Sequence, residues 1–157
     1  MKDVSSGGWK SFLQSPRAGT TVYVIGVFDL FHRGHLEFLE AARSLGDRLV
    51  VAINGDEMGS TYKRRPVNDE TDRLAIVSAL RCVDRVFVIE EYDNRQELIR
   101  HGVDIIVHGN DWQPDSYMNQ IKVDSDFLER HCIRLQFIPY YPGVSTSSII
   151  RAIQGSP

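Results

Sequence analysis

Short runs of β-branched residues alternate with helix-patterned stretches from Thr21 to Ile153. Thr21–Gly26, Arg48–Asn54, Arg85–Ile89, Val103–His108 and Ile133–Ile138 are each brief and dense in Val, Ile, Leu or Phe, the pattern of strands buried on both faces. Between them, Gly34 to Gly46 carries Leu36, Leu39 and Ala42 at helical spacing, with Gly46 as its stop. Asp69 is placed to cap a second helix whose Leu74, Val77 and Leu80 share one side. Further helices are expected over Asn94–His101, Gln120–His131 and Ser145–Ile153. Every connection is long enough for a crossover helix, and short hairpins are missing. The pattern predicts an α/β fold: one Rossmann-like, doubly wound domain with a five-stranded parallel sheet over residues 21–157, preceded by a Ser-, Gly- and Pro-containing tail over residues 1–20. In such sheets ligands sit beyond the carboxyl ends of the strands, so the residues just after each strand carry the functional information.

Charge narrows the partners. The formal net charge is −3, and Lys63-Arg64-Arg65 is the one basic run. Three cations suit a single nucleotide better than a nucleic-acid polymer, which needs an extended basic face. No run approaches the ~18 apolar residues of a membrane span, and residues 1–18 lack the apolar core of a secretory signal. Cys82 and Cys132, the two cysteines, lie beside apolar runs in no metal-type spacing and are expected as reduced core thiols. A cytoplasmic location follows as the expectation.

The segment after the first strand is the most informative. Gly26-Val-Phe-Asp-Leu-Phe-His-Arg-Gly-His35 leaves a strand and enters a helix. Gly34 allows a phosphate to approach the backbone, and the unpaired N–H groups of a helix start favour an anion. His32 and His35, three apart across that turn, can both address one anionic centre, as stabilisation of a pentacoordinate phosphoryl group requires. Ordinary helix capping by one histidine, with the other exposed, is the bland alternative.

His32-Arg33-Gly34-His35 matches the HxGH signature of the nucleotidyltransferase superfamily, and the longer string resembles its cytidylyltransferase branch, which includes the glycerol-3-phosphate, phosphocholine and phosphoethanolamine enzymes. The resemblance runs from about Val22 to Ile153. It implies His32, His35, Lys63 and Arg64 as catalytic residues. It also implies that Val27, Phe28, Gly34, Arg73, Gly109, Asp111, Trp112, Gly143, Ser145 and Thr146 contact the nucleotide. Gly109-Asn110-Asp111-Trp112 resembles the GDDW element of glycerol-3-phosphate cytidylyltransferases, and Gly143-Val-Ser-Thr146 the end of their RTEGISTT motif. The chain departs from the pattern at Tyr140-Tyr141-Pro142, where those enzymes carry Arg-Thr-Glu. Heptose-phosphate adenylyltransferases of the same superfamily also lack that arginine. They share the Arg65-Pro-Val-Asn68 string and an ending like Ser145-Thr-x-x-Ile-Ile150.

The resemblance implies transfer of CMP from CTP, or AMP from ATP, to a small phosphorylated acceptor, with Mg²⁺ on the triphosphate and a homodimeric assembly. Asp29 and Asp111 are both placed to add a carboxylate to that metal, and the sequence does not choose between them. Two other readings stand beside it. One is a non-catalytic nucleotide-binding module. The other is an assembly protein docking through Trp9, Phe12 and Leu13, which would leave the polar strand-end residues without a purpose.

Overall fold

The computed structural model describes residues 19–60 and 64–155. The five expected strands are present as β1 (Thr21–Gly26), β2 (Arg48–Asn54), β3 (Arg85–Ile89), β4 (Ile105–Gly109) and β5 (Arg134–Ile138). They form one sheet in the order β3-β2-β1-β4-β5, with every pairing parallel. Val22 stands opposite Leu49 on one side and Ile105 on the other, which makes β1 the central strand. After β3 the chain returns across the sheet to place β4 beside β1. The strand order therefore reverses at β1 and β4, and a crevice opens beyond their carboxyl ends.

Seven helices are described: α1 (Arg33–Arg43), α2 (Asp56–Ser60), α3 (Glu70–Ser78), α4 (Arg95–Arg100), α5 (Pro114–Gln120), α6 (Ser125–Arg130) and α7 (Thr146–Ile153). Strand residues alternate between two cores. Val22, Val24, Leu49, Val51 and Ile53 pack with Leu39 and Ala42 of α1 and Val77 of α3. Tyr23, Val50, Ala52 and Ile106 point the other way, to Leu98 of α4, Tyr117 of α5 and Phe127 and Leu128 of α6. Both faces are covered, which is why the strands read as continuous apolar runs. Across the second core the Tyr23 hydroxyl donates to Asn94 Oδ1 at 2.9 Å, satisfying both groups where water is excluded.

Several local expectations change. The helix expected over Gln120–His131 is two helices, α5 and α6. Lys122 adopts the left-handed conformation (φ 59°), and Asp124 starts a fresh helix by accepting from the Phe127 N–H at 2.7 Å. α1 ends at Arg43 rather than at Gly46. Gly46 serves close packing instead: a Cβ there would lie 2.7 Å from both the Thr20 carbonyl oxygen and Val22 Cγ2. β4 begins two residues late because the Val103 N–H is used to close α4, donating to the Leu98 carbonyl at 3.0 Å. Cys132, expected in the core, is exposed on a left-handed turn (φ 55°) before β5, and Cys82 is half-buried; both are free thiols. An apolar neighbourhood in sequence does not decide burial when the residue itself must make the turn. Trp9, Phe12 and Leu13 lie outside the described residues. No helix among the described residues is long and apolar enough to cross a membrane.

Gly46→Ala is expected to lower stability by roughly 1–3 kcal/mol, the range for overpacking a tight site. Urea unfolding followed by circular dichroism measures it, and an unchanged midpoint would show that β1 can move away from Gly46.

Candidate active site

The loop between β1 and α1 is bent by two non-glycine residues in the left-handed region, Phe28 (φ 55°) and Leu30 (φ 48°). Asp29 between them is buried and secures that geometry from afar. Its carboxylate accepts from the backbone N–H groups of Val67 and Asn68 and from Arg64 Nη2, each at 2.9 Å. Asn68 reciprocates by accepting from the Leu30 N–H at 3.3 Å. Burial alone would raise the Asp29 carboxyl, but the Asn68 and Val67 amides and the Arg64 guanidinium outweigh it and hold it below the usual carboxylate range. Both of its oxygens accept hydrogen bonds from the Arg64–Asn68 segment, so Asp29 braces that segment against the loop.

α1 begins on a capping box made of two imidazoles. His32 Nδ1 accepts from the Gly34 N–H at 3.0 Å, and His35 Nδ1 accepts from the His32 N–H at 3.3 Å. The rings stack with centroids 3.8 Å apart, and Phe28 and Phe31 flank His35. A Cβ on Gly34 would come within 2.8 Å of His32 Cε1, so glycine is required for this stack. Burial, reinforced by the neighbouring His32, pushes His35 down to about 4 against a weaker opposing pull from Asp29; burial also lowers His32. Both rings are therefore neutral at pH 7. Since each Nδ1 accepts a backbone hydrogen bond, the proton of each neutral ring resides on Nε2. The pair offers two N–H donors and no charge.

α7 closes the site from the far end of the sequence. Thr146 Oγ1 donates to the Asp29 carbonyl at 3.0 Å and lies 3.4 Å from His32 Nε2, in position to accept that proton. Ser145 caps the helix, its Oγ accepting from the Ser148 N–H at 3.1 Å while Ser148 Oγ accepts from the Ser145 N–H at 3.0 Å. The amino ends of α1 and α7 thus border one cavity of about 530 Å³, which includes His32, Gly34, His35, Ser145 and Thr146. Two helix starts with their exposed N–H groups make an anion site.

Val27, Phe28, Arg64, Asp111 and Trp112 also line this cavity. Lys63 lies outside the described residues. Three expected nucleotide contacts are elsewhere. Arg73 is fully buried behind the wall: its Nη1 donates to the carbonyls of Val27 (2.7 Å) and Asn54 (2.8 Å), Nε to that of Asn68 (3.0 Å), and Nη2 to Asp56 Oδ1 (2.7 Å). It fastens the loops that carry the site and does not face it. Gly109 and Gly143 are likewise indirect, each making room for a tyrosine that lines the cavity. A Cβ at Gly109 would overlap the Tyr140 ring, and one at Gly143 would lie 2.4 Å from Tyr141 Cε1. Tyr140 stacks on Phe38 at 5.5 Å and its hydroxyl interacts with Asp111. Arg33 sits over the Tyr141 ring at 4.9 Å. The cavity further takes in Asn54, Met58, Tyr92, Asn94 and Gln120, which the sequence reading missed. The available signal was Asn54, a polar residue ending an apolar strand on the ligand side of the sheet.

Among the described residues, no group of three or more His, Cys, Asp or Glu side chains is arranged to hold a metal ion. Asp29 and Asp111 are the carboxylates that line the cavity among the described residues. This donor set fits a cation that arrives on substrate phosphates and keeps its water.

The fold and this histidine pair are those of the HxGH nucleotidyltransferase family. The chain belongs to the cytidylyltransferase-like family, whose model matches residues 23–152. It is 34% identical over 135 residues to the glycerol-3-phosphate cytidylyltransferase of Bacillus subtilis, covering 85% of this chain and 97% of that protein. It is 38% identical over 135 residues to the bifunctional protein HldE of Trichlorobacter lovleyi, covering 84% of this chain. The chain spans 26% to 30% of the length of the HldE relatives it matches. Among solved structures it is similar to the lipopolysaccharide core biosynthesis protein of Thermoplasma volcanium, with a TM-score of 0.66, 32% identity, and coverage of 78% of this chain and 99% of that one.

Unfolded His35 titrates near the ordinary histidine value of about 6.5, whereas the folded residue resists protonation until about 4. Between those values the unfolded state binds more protons, so stability is full above about 6.5 and falls as the pH drops toward 4. Urea midpoints measured from pH 7 to pH 4 should fall more steeply for the wild type than for His35→Gln. Parallel curves would contradict the depressed histidine.

Proposed function

We propose that this nucleotidyltransferase transfers CMP from CTP to a small phosphorylated acceptor of the glycerol 3-phosphate type and releases pyrophosphate. The observation that carries the reading is the stacked, neutral His32–His35 pair at the start of α1, with the start of α7 facing the same cavity. A phosphate oxygen of the acceptor attacks the α-phosphorus. A new P–O bond forms, the bond from that phosphorus to the bridging oxygen breaks, and its electrons leave with pyrophosphate. A phosphate monoester is already nucleophilic near neutral pH, so no protein base has to remove a proton. The protein's part is positioning and stabilisation of charge.

In this reading His35 Nε2–H donates to the transferring phosphoryl group, and His32 Nε2–H turns to it from its long 3.4 Å approach to Thr146 Oγ1. Neutral donors strengthen as charge builds in the transition state without binding the ground-state triphosphate as tightly as cations would. The N–H groups at the start of α7, with Ser145 and Thr146, take the leaving phosphates together with Arg64 and Lys63. Mg²⁺ held by the triphosphate would supply charge neutralisation there. A homodimer belongs to the same reading.

CTP is preferred because the Gly26–His35 string and the Gly109–Trp112 element resemble cytidylyltransferases, and Asp111 and Trp112 reach the cavity. One observation favours ATP and a sugar phosphate instead: Tyr140 stands where cytidylyltransferases carry arginine, and it is packed into the cavity wall against Phe38 and Gly109. A pocket that pairs with one base edge leaves polar groups unmatched by the other, so discrimination of about 10²-fold or more is expected either way. Competition between CTP and ATP at equal concentration decides it, and a higher kcat/KM for ATP would replace CTP as the donor.

His35→Ala should retain the fold and lose at least ~10²-fold in turnover, the range for removing one oxyanion-type donor. Pyrophosphate release measures it. Wild-type turnover in the folded variant would remove His35 from the mechanism.

A further inference from the structure

The cavity continues beyond the histidines into a lobe on the other face of the sheet. Asn54 falls on the same side of β2 as Val50 and Ala52, which belong to the second core. Met58, Tyr92 and Ile121, from that core or packed against it, line the lobe together with Asn94 and Gln120. Three carboxamides thus stand in largely apolar surroundings, and they are not equivalent. Asn94 is satisfied: its Oδ1 accepts from the Tyr23 hydroxyl and its Nδ2 donates to the Tyr92 carbonyl, both at 2.9 Å. Asn54 Oδ1 and Gln120 Oε1 are buried and accept no hydrogen bond among the described residues.

A buried carbonyl oxygen without a donor costs about 1–3 kcal/mol, and native proteins keep few of them. Two lining one cavity call for a common partner. Rotation about the last side-chain torsion, which is soft in Asn and Gln, turns either oxygen onto a ligand. That partner must donate hydrogen bonds and be neutral. Asp29 is tied to the Arg64–Asn68 segment, and Asp111 lies by Tyr140 beyond β4 and β5. Among the described residues these two are the only carboxylates that line the cavity, and Glu90, beside Gly55, is not part of the lining, so none in the lobe offsets a buried ammonium, which is costly unpaired. A quaternary ammonium has no N–H to give. A hydroxyl is neutral and satisfies either end of a carboxamide, donating to its oxygen or accepting from its nitrogen.

We propose that Asn54 and Gln120 are specificity-determining residues that read hydroxyl groups of the acceptor, which is a phosphorylated polyol or sugar and not a phosphorylated amino-alcohol. The proposal rests on the nucleotidyl-transfer reading above. It assigns the lobe to the acceptor's carbon skeleton, while the acceptor's phosphate meets the donor beside His32 and His35.

The test compares glycerol 3-phosphate and glucose 1-phosphate with phosphocholine and phosphoethanolamine by pyrophosphate release, in the wild type and in Asn54→Leu and Gln120→Met. Wild type should favour one or both hydroxylated acceptors by ~10²-fold or more in kcat/KM. Each substitution should lower kcat/KM for that acceptor at least tenfold, chiefly through its KM, and leave the nucleotide KM unchanged. The melting temperature should hold or rise, because an isosteric apolar group replaces an unsatisfied one; a purely structural role would lower it instead. Equal or better use of phosphocholine or phosphoethanolamine, or unchanged hydroxylated-acceptor kinetics in both variants, overturns the proposal. If no acceptor releases pyrophosphate, the transfer reading fails, and calorimetric titration of the same four compounds judges the lobe separately. Binding of glycerol 3-phosphate or glucose 1-phosphate that weakens in the variants supports it, and no such binding overturns it.

Discussion

The buried guanidinium of Arg73 is the contact on which the rest of the site hangs. It gathers the carbonyls of Val27 after β1, Asn54 at the end of β2 and Asn68 before α3, and it pairs with Asp56 at the start of α2. Taking such a charge out of water costs several kcal/mol, recovered only when its donors are matched and a counter-ion is near. Here the fork geometry of arginine suits a ring of carbonyls that no other side chain could span at once. Since Val27 and Asn54 flank the cavity at its centre and in its second lobe, the same group sets the spacing between the two. Asp29 then extends the brace outward to Arg64 and the Val67–Asn68 amides, so a loop with little apolar contact of its own is anchored by a carboxylate from another strand end.

Within that frame the site offers polarity rather than net charge. His32 and His35 are used at their Nδ1 atoms by the backbone and are kept neutral by burial and by each other. A stack 3.8 Å apart could not hold two imidazolium ions. The positive potential comes instead from the oriented N–H groups where α1 and α7 begin. Those dipoles are fixed before a ligand arrives, which is the condition under which they aid a developing charge most.

Much of this was legible in the residues. The Val- and Ile-rich runs marked all five strands because buried parallel strands tolerate no polar alternation, and Asp69 marked the start of α3 through its capping chemistry. His32, Gly34 and His35 were readable because their relation is local, three residues within one turn. Arg73 was not: on a helix it resembles any exposed arginine, and its carbonyl partners come from loops up to 46 residues away. Tyr140 and Gly109 were opaque for the same reason, since the need for glycine lies in a ring 31 positions later. The break at Lys122 depends on one left-handed residue that no periodicity announces. Asn54 and Gln120 become informative only when burial reveals that their oxygens lack donors.

The bond from Thr146 to the Asp29 carbonyl joins positions 117 apart, and its approach to His32 spans 114. Contacts of that separation are slow to form because a long loop must close before they return any stabilisation. The sheet and its two cores do not depend on α7, none of whose residues is fully buried. Collapse and competence are therefore separable events in this molecule. All five strands can stand in register, with His32 and His35 stacked, before α7 docks against the Asp29 carbonyl. The α7 wall of the cavity is thus added to an architecture whose two cores contain none of its residues, so the cavity can open at that wall without the sheet coming apart.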